Sequence, residues 1–283
     1  SPPQPGRFAK DDVEGIRKAA TPAASPAGNP PRLSQGHRYQ PNVRPSIVRR
    51  AKTLRRRLAS SMNATNRFKP GQFPAEVRCA GAIVRGTVEL PAEAEGLVVS
   101  ASVGSEKTLV HHHGIKSLFH AAKLGIAAMN LSADEPQRNA TMETFDIALL
   151  AARLLASITW LREQTAGRFP IGLLCEGGAV VPALLAAAEP PSRIISAVVV
   201  GGRPDLAGKA LRFVSAPTLL VVGSDEDTLL TAHQRAFNEL TTTKSLEIVL
   251  GAGEALTIDS LRLVARSATG WLSEHLCPAE AKN

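Results

Sequence analysis

The segment LLCEGGAVVPALLAAA (173–188) joins three local patterns within a short span. Leu173, Leu174 and Cys175 end an apolar run typical of a buried strand, Gly177 and Gly178 indicate a turn, and the alanine-rich remainder favours a helix. A strand that passes into a helix through so short a turn leaves room only for small side chains beside the turn. The segment therefore predicts a strand–turn–helix unit of an α/β domain.

Apolar, often β-branched runs recur on both sides of this unit and predict strands. They are AGAIVRGTVEL (80–90), GLVVSAS (96–102), GIAAMNL (125–131), IGLLC (171–175), ISAVVV (195–200), TLLVVG (218–223) and LEIVL (246–250). Apolar residues three or four apart predict helices at about 112–124, 142–165, 178–188, 227–241 and 256–276. Because strands and helices alternate, we expect an α/β domain whose mostly parallel sheet is covered by helices on both faces.

The first 75 residues differ in composition from the rest of the chain. They hold 15 Lys and Arg against 3 Asp and Glu, a net charge of +12, whereas the remainder carries −4. No acidic residue occurs from Gly15 to Ala75, and proline recurs in TPAASPAGNPP (21–31). Such a segment buries too little apolar surface to offset the entropy lost on ordering. We therefore expect a basic, largely irregular N-terminal arm over 1–75 and an α/β domain over 76–283.

One part of the arm, SIVRRAKTLRRRLASSM (46–62), has apolar residues at helical spacing among basic ones. The basic residues of interest are Arg49, Arg50, Arg55, Arg56 and Arg57. The pattern predicts a short amphipathic helix that binds nucleic-acid phosphates, an anionic membrane or an acidic protein surface. A solvated charged linker is the alternative, because no aromatic residue is interleaved to stack on bases. The partners expected for the arm are a protein assembly or RNA.

The cysteines and histidines bear on the compartment and on metal binding. Cys79, Cys175 and Cys277 are far apart, so they predict neither a disulfide framework nor a zinc site. No apolar stretch approaches the 18 residues of a spanning helix, so no transmembrane segment is expected. We expect an intracellular, reducing compartment, either the cytoplasm or an organelle matrix such as that of the mitochondrion. His111–His113 point in different directions on a helix and, with His120, predict no metal site.

From about residue 80 to 276 the chain resembles the α/β-hydrolase superfamily, and within it the dienelactone hydrolase-like proteins. The resemblance rests on the strand order and on LCEGGA (174–179), GGRPDLAG (201–208), APTLLVVGSDED (216–227) and VLGAGEAL (249–256). It implies a nucleophile elbow with Ser or Cys at its apex, an acid after the next-to-last long strand and a His after the last strand. It also implies an oxyanion loop after an early strand, and hydrolysis of esters, thioesters or lactones.

The resemblance allows two registers for the elbow. In the first, Cys175 is the nucleophile and Gly177 follows two residues later, but Leu173 is bulky for the position two residues before. In the second, Gly177 takes the nucleophile position between the small residues Cys175 and Ala179. The second register satisfies the steric requirement and is catalytically empty. It is the favoured interpretation, and the first stays open.

The other positions that the resemblance assigns depart from the family pattern. Glu254 stands where the family has histidine, and a carboxylate does not relay a proton as an imidazole does unless burial raises its pKa. Glu226 is the candidate acid, on a loop that it shares with two aspartates. Ser102 and Val103 replace the His-Gly pair of the oxyanion loop, where backbone N–H groups are still able to point inward.

Three functions follow from these departures. The favoured one is a non-catalytic α/β-hydrolase-like domain, used as a structural or binding subunit of a larger assembly that the basic arm anchors. The second is a divergent esterase or lactonase that uses Cys175. The third is a small-molecule binder that retains the hydrolase pocket, with Glu176 and Glu254 selecting a cationic or hydrogen-bonding ligand. No metal or cofactor is expected in any of the three.

Overall fold

The computed structural model describes residues 70–104, 108–112, 114–132, 146–190, 193–225, 227–250 and 258–277. These residues form eight strands: β1 Gly71–Cys79, β2 Ala82–Leu90, β3 Gly96–Ser102, β4 Leu124–Asn130, β5 Ile171–Glu176, β6 Ile194–Val200, β7 Thr218–Gly223 and β8 Lys244–Val249. They also form five α-helices: α1 Ile115–Ala121, α2 Ile147–Gln164, α3 Val180–Ala188, α4 Asp227–Glu239 and α5 Ile258–Leu276. Shorter 3-10 helices span Leu109–His111, Gly177–Ala179 and Pro204–Phe213.

The strands form one sheet in the order β1-β2-β4-β3-β5-β6-β7-β8. The pairs β1–β2 and β2–β4 are antiparallel, and every pair from β4–β3 to β7–β8 is parallel. The carboxyl ends of the parallel strands therefore meet at one edge, where sites form in open α/β sheets. The predicted α/β class with a mostly parallel sheet is confirmed.

Two hydrophobic cores lie on opposite faces of this sheet. One is formed by α2, α3, the 3-10 helix Pro204–Phe213 and α4, and the other by α1 and α5. All seven residues of β3 are buried, as expected for a strand covered on both faces. At Gly172 of β5 a Cβ atom would lie 2.6 Å from Leu272 of α5, so glycine allows this helix to approach the sheet closely. Among the described helices, none has the length and apolar composition needed to cross a membrane.

The structure contains one strand that the sequence patterns did not predict. β1 begins at Gly71 and so crosses the boundary expected between residues 75 and 76. It is an edge strand with only one face covered, where Ala75, Val77 and Cys79 are buried and the residues between them are exposed. Alternation of this kind lacks the continuous apolar run of the central strands. The rest of the expected arm, including the predicted helix at 46–62, lies outside the described residues.

Candidate functional site

The elbow segment occupies the centre of the sheet's carboxyl edge. β5 ends with Cys175 and Glu176, the backbone turns at Gly177 with φ of +49°, and α3 begins at Val180. A positive φ is strained for residues with a side chain but not for glycine, so the turn is built on glycine at its apex.

The turn is tightly packed on both sides. Cys175 and Ala179, two residues before and after Gly177, are fully buried. The loop after β6 lies against the apex, because a Cβ atom on Gly202 would be 2.5 Å from the carbonyl oxygen of Gly177. Small residues are therefore required in both chain segments that meet here.

Cys175 is a buried, protonated thiol. Burial, with a smaller contribution from the nearby charge of Glu176, raises its pKa to about 12, although a hydrogen bond with the backbone of Ala101 lowers it. Because the thiolate is the nucleophilic form of cysteine, a thiol with this pKa is inert at neutral pH.

Glu176 faces the loop that follows β3. Its Oε1 and Oε2 atoms accept hydrogen bonds from the backbone N–H of Leu109, at N···O distances of 2.7 and 2.9 Å. Leu109 is the first residue of the 3-10 helix after β3 and lies six residues after Val103 of the expected oxyanion loop. An N–H group close to the elbow is thus occupied by a carboxylate of the same chain.

A hydrogen-bonded chain of side chains fixes the same 3-10 helix. The hydroxyl groups of Ser100 and Thr108 lie 3.2 Å apart, and the Thr108 hydroxyl lies 2.9 Å from Nδ1 of His111. The backbone N–H of Thr108 also donates to His111 Nδ1, at 3.2 Å. His111 therefore closes the helix N-terminus locally. This contact was not predicted, and a His three residues after a Thr is its only sequence signal.

The residues expected in the oxyanion loop are anchored to β4. Ser102 donates through its hydroxyl to the carbonyl of Met129 at 3.5 Å, and its own carbonyl accepts from the N–H of Leu131 at 2.8 Å. Val103 is buried, with 3% of its surface exposed. Buried Arg153 of α2 donates to the Leu131 carbonyl at 2.9 Å, which fixes the start of the loop after β4.

The acid and base candidates, Glu226 and Glu254, lie outside the described residues, as do Arg49, Arg50 and Arg55–Arg57 of the arm. On the acidic loop, Asp225 is exposed and accepts a hydrogen bond from the Ser224 hydroxyl at 2.6 Å. The structure therefore brings together Cys175, Glu176, Gly177 and the loop after β3. It leaves the predicted acid and base positions undescribed.

A charged pair that the sequence patterns did not single out follows β6. Arg203 Nε and Nη2 donate to the two carboxylate oxygens of Asp205, both at 2.8 Å. These bonds hold the pKa of Asp205 below its usual value. The pair borders a cavity of about 300 Å³ between the start of the 3-10 helix Pro204–Phe213 and α4. An Arg-x-Asp sequence directly after a strand end was the available signal.

The described part of the chain holds no cluster of three or more His, Cys, Asp or Glu side chains suited to a metal ion. His233 of α4 is fully buried, and its Nδ1 lies 2.9 Å from the carbonyl of Leu229. Burial lowers the pKa of His233, so its imidazole is neutral at pH 7. It is part of the protein interior rather than of the site at the elbow.

No family model matches the chain. Two curated proteins from strains of Mycobacterium tuberculosis, both named "putative phosphoribosyl transferase", are 34% identical to it over 197 residues. The match covers 69% of this chain and 44% of each relative. The chain thus spans less than half the length of the curated relatives it matches.

Solved structures with a similar fold include hydrolases. A dienelactone hydrolase from Anabaena variabilis is 28% identical, with a TM-score of 0.65, and the match covers 74% of this chain and 100% of that one. A cold-adapted esterase from an Arctic intertidal metagenomic library is 19% identical, with a TM-score of 0.57 over 76% of this chain and 99% of that one. The similarity to the dienelactone hydrolase, together with the shared fold of the esterase, confirms the fold predicted from the sequence.

Proposed function

We propose that this chain, which has a dienelactone-hydrolase-like α/β-hydrolase fold, is a non-catalytic binding or structural domain of a longer protein or larger assembly. The observation that carries the proposal is the state of Cys175. It is the one nucleophile candidate in the elbow, and it is fully buried with its pKa raised to about 12. A buried, protonated thiol has neither the access nor the charge that attack on an ester requires.

The backbone of the turn supports the same conclusion. Gly177, with its positive φ, directly follows β5 and precedes the helix, which is where an elbow holds its nucleophile. Small, buried residues flank it at positions 175 and 179. This geometry favours the register in which Gly177 occupies the nucleophile position, and glycine has no group to attack a substrate.

Glu176 adds an electrostatic argument. Acyl transfer develops negative charge on a substrate oxygen, and hydrolases stabilise it with inward-facing N–H groups. Here the Leu109 N–H is bound by the Glu176 carboxylate, at 2.7 and 2.9 Å. A fixed negative charge beside the elbow would repel an oxyanion rather than stabilise it.

The name of the curated relatives suggests that this chain acts together with a transferase. Their shared name describes phosphoribosyl transfer, and this chain covers 44% of their length. We propose that this chain supplies a binding role and does not itself carry out that reaction. The basic arm stays the proposed contact with a protein assembly or RNA, and an intracellular compartment stays a proposal as well.

Alkylation of cysteines tests the non-catalytic assignment without choosing a substrate. The native full chain is treated with iodoacetamide at neutral pH, and each cysteine is followed by mass spectrometry, with a denatured sample in parallel. We expect half-buried Cys277, whose pKa burial also raises, to react slowly in the native protein, and fully buried Cys175 to react only after denaturation. Native alkylation of Cys175 as fast as that of Cys277 would contradict the proposal.

A further inference from the structure

The cavity beside the Arg203–Asp205 pair has no part in the proposed function. Its volume of about 300 Å³ is at the lower end for ligand sites, so it suits a small metabolite. Its polar lining residues are Arg203, Asp205, Asp227, Thr228, Thr231 and Arg235. They come from the loop after β6 and from the first half of α4.

Arg235 brings a positive charge to the cavity, and this charge adds to the hydrogen bonds from Arg203 in lowering the pKa of Asp205. Its side chain is exposed and forms no hydrogen bond or ion pair with any described residue. Arg203 adds a second guanidinium. Its Nε–H and one N–H of Nη2 donate to the Asp205 carboxylate. A guanidinium has five N–H donors, so Arg203 keeps donors for a further acceptor. Asp205 and Asp227 balance the two guanidinium charges around the cavity, so the preference for an anion rests on geometry: the planar N–H donors of a guanidinium suit a group with several oxygen atoms, such as a phosphate monoester.

The helix side of the cavity is suited to hydroxyl groups. Thr228, Thr231 and Arg235 are spaced three and four residues apart, which places them on one face of α4. Threonine hydroxyls donate and accept hydrogen bonds, and the carboxylate of Asp227 accepts them. The cavity thus offers partners for ligand hydroxyls next to partners for a phosphate.

From these groups we infer that the cavity binds a small sugar phosphate, with the phosphate held by Arg235 and Arg203 and the sugar hydroxyls by Asp227, Thr228 and Thr231. The inference deepens the proposed binding role and rests on it. Its test measures binding rather than turnover, so its failure is distinguishable from a failure of the non-catalytic assignment.

The test is calorimetric titration of the full chain with ribose 5-phosphate, beside the variants Arg235→Gln and Arg262→Gln. Arg262 is also exposed on a helix, α5, but lies outside the cavity, which makes its variant a matched control. Glutamine keeps helix propensity, so both variants should fold. We expect saturable binding that weakens about 10-fold or more in Arg235→Gln and stays within about 2-fold in Arg262→Gln.

Titrations with ribose and with inorganic phosphate resolve the two halves of the site. We expect both to bind more weakly than ribose 5-phosphate, and Thr231→Val to weaken binding of the sugar phosphate about 3-fold or more while inorganic phosphate is unaffected. The inference is overturned if ribose 5-phosphate shows no saturable binding or if Arg235→Gln binds it as the wild type does. Equal affinity for inorganic phosphate and ribose 5-phosphate would also overturn it, by leaving a simple anion site.

Discussion

The carboxylate of Glu176 and the backbone N–H of Leu109 are hydrogen-bonded across the carboxyl edge of the sheet, with both carboxylate oxygens within 2.9 Å of the nitrogen. The contact joins the last residue of β5 to the first residue of the 3-10 helix after β3. It fastens the segment that follows β3 to the strand that leads into the glycine turn. The contact therefore restrains the backbone beside the elbow, as the proposed non-catalytic role requires.

Replacing Glu176 tests this contact. Glu176→Ala leaves the partly buried Leu109 N–H without its acceptor, so we expect the free energy of unfolding to fall by about 1–3 kcal/mol. Glu176→Gln keeps an acceptor oxygen and should lose about half as much or less. Urea denaturation at pH 7 measures both. Equal stability of Glu176→Ala and the wild type would show that the contact contributes nothing.

The raised pKa of Cys175 predicts a dependence of stability on alkaline pH. The folded pKa of about 12 lies above the ordinary value of 9.0, so the folded state holds the proton more tightly than the unfolded state does. The resulting stability is fully present below pH 9 and is lost as the pH rises toward 12. We therefore expect the free energy of unfolding to fall more steeply above pH 9 in the wild type than in Cys175→Ala.

Denaturation curves at several pH values between 8 and 11 provide the comparison. A pH-independent difference in the free energy of unfolding between the two proteins measures the packing lost with the sulfur atom. A difference in how steeply that free energy falls with pH measures the ionisation of the Cys175 thiol. Parallel profiles throughout this range would mean that the Cys175 thiol is not held protonated by burial.

The Arg203–Asp205 pair should stabilise the loop after β6. Asp205 is mostly buried, so Asp205→Asn should lower the free energy of unfolding by about 1–2 kcal/mol at pH 7, with solvent around Arg203 limiting the effect. The lowered pKa of Asp205 makes this contribution present above its ordinary value of 3.8 and lost as the pH falls further. The difference between wild type and variant should therefore shrink in acid.

The exposed pair of Arg212 and Glu239 is the control for that experiment. Arg212→Gln should change stability by less than about 0.5 kcal/mol, since exposed ion pairs contribute little. If Asp205→Asn behaved like Arg212→Gln at neutral pH, the pair after β6 would be an ordinary surface contact.

Alanine substitutions at Gly202 and Gly270 compare a tightly packed glycine with an open one. Gly202 has φ of +64°, and an added Cβ would lie 2.5 Å from the Gly177 carbonyl oxygen, so Gly202→Ala should destabilise the protein by about 2 kcal/mol or more. Gly270 lies within α5 with open space around it, so Gly270→Ala should stabilise by about 0.5–1 kcal/mol. Thermal unfolding measures both, and a tolerated Gly202→Ala would contradict the close packing at the elbow.

The central strands were predictable because both of their faces are buried. β3 and β7 match the predicted runs 96–102 and 218–223 residue for residue, since continuous burial produces a continuous apolar run. β1 was missed because it is an edge strand with charged residues on its open face. Ala80 and Gly81, which the predicted run 80–90 included, form the turn between β1 and β2, both with positive φ.

The site was less predictable because its geometry depends on contacts that leave no local pattern. The segment around Cys175 and Gly177 fits two registers as a sequence, and only the backbone shows where the turn lies. The contact between Glu176 and Leu109 joins residues 67 positions apart, and its donor is a backbone group that every residue except proline carries. The burial of Cys175 likewise depends on how its neighbours in the fold pack around it.

The most direct test of the account is turnover of a panel of activated esters, thioesters and lactones by the full chain, with Cys175→Ala purified in parallel. We expect neither protein to exceed the rate of the buffer alone, because the elbow holds a buried, protonated thiol and a glycine at its apex. Turnover by the wild type that disappears in Cys175→Ala would contradict the account and establish Cys175 as the nucleophile of a hydrolase.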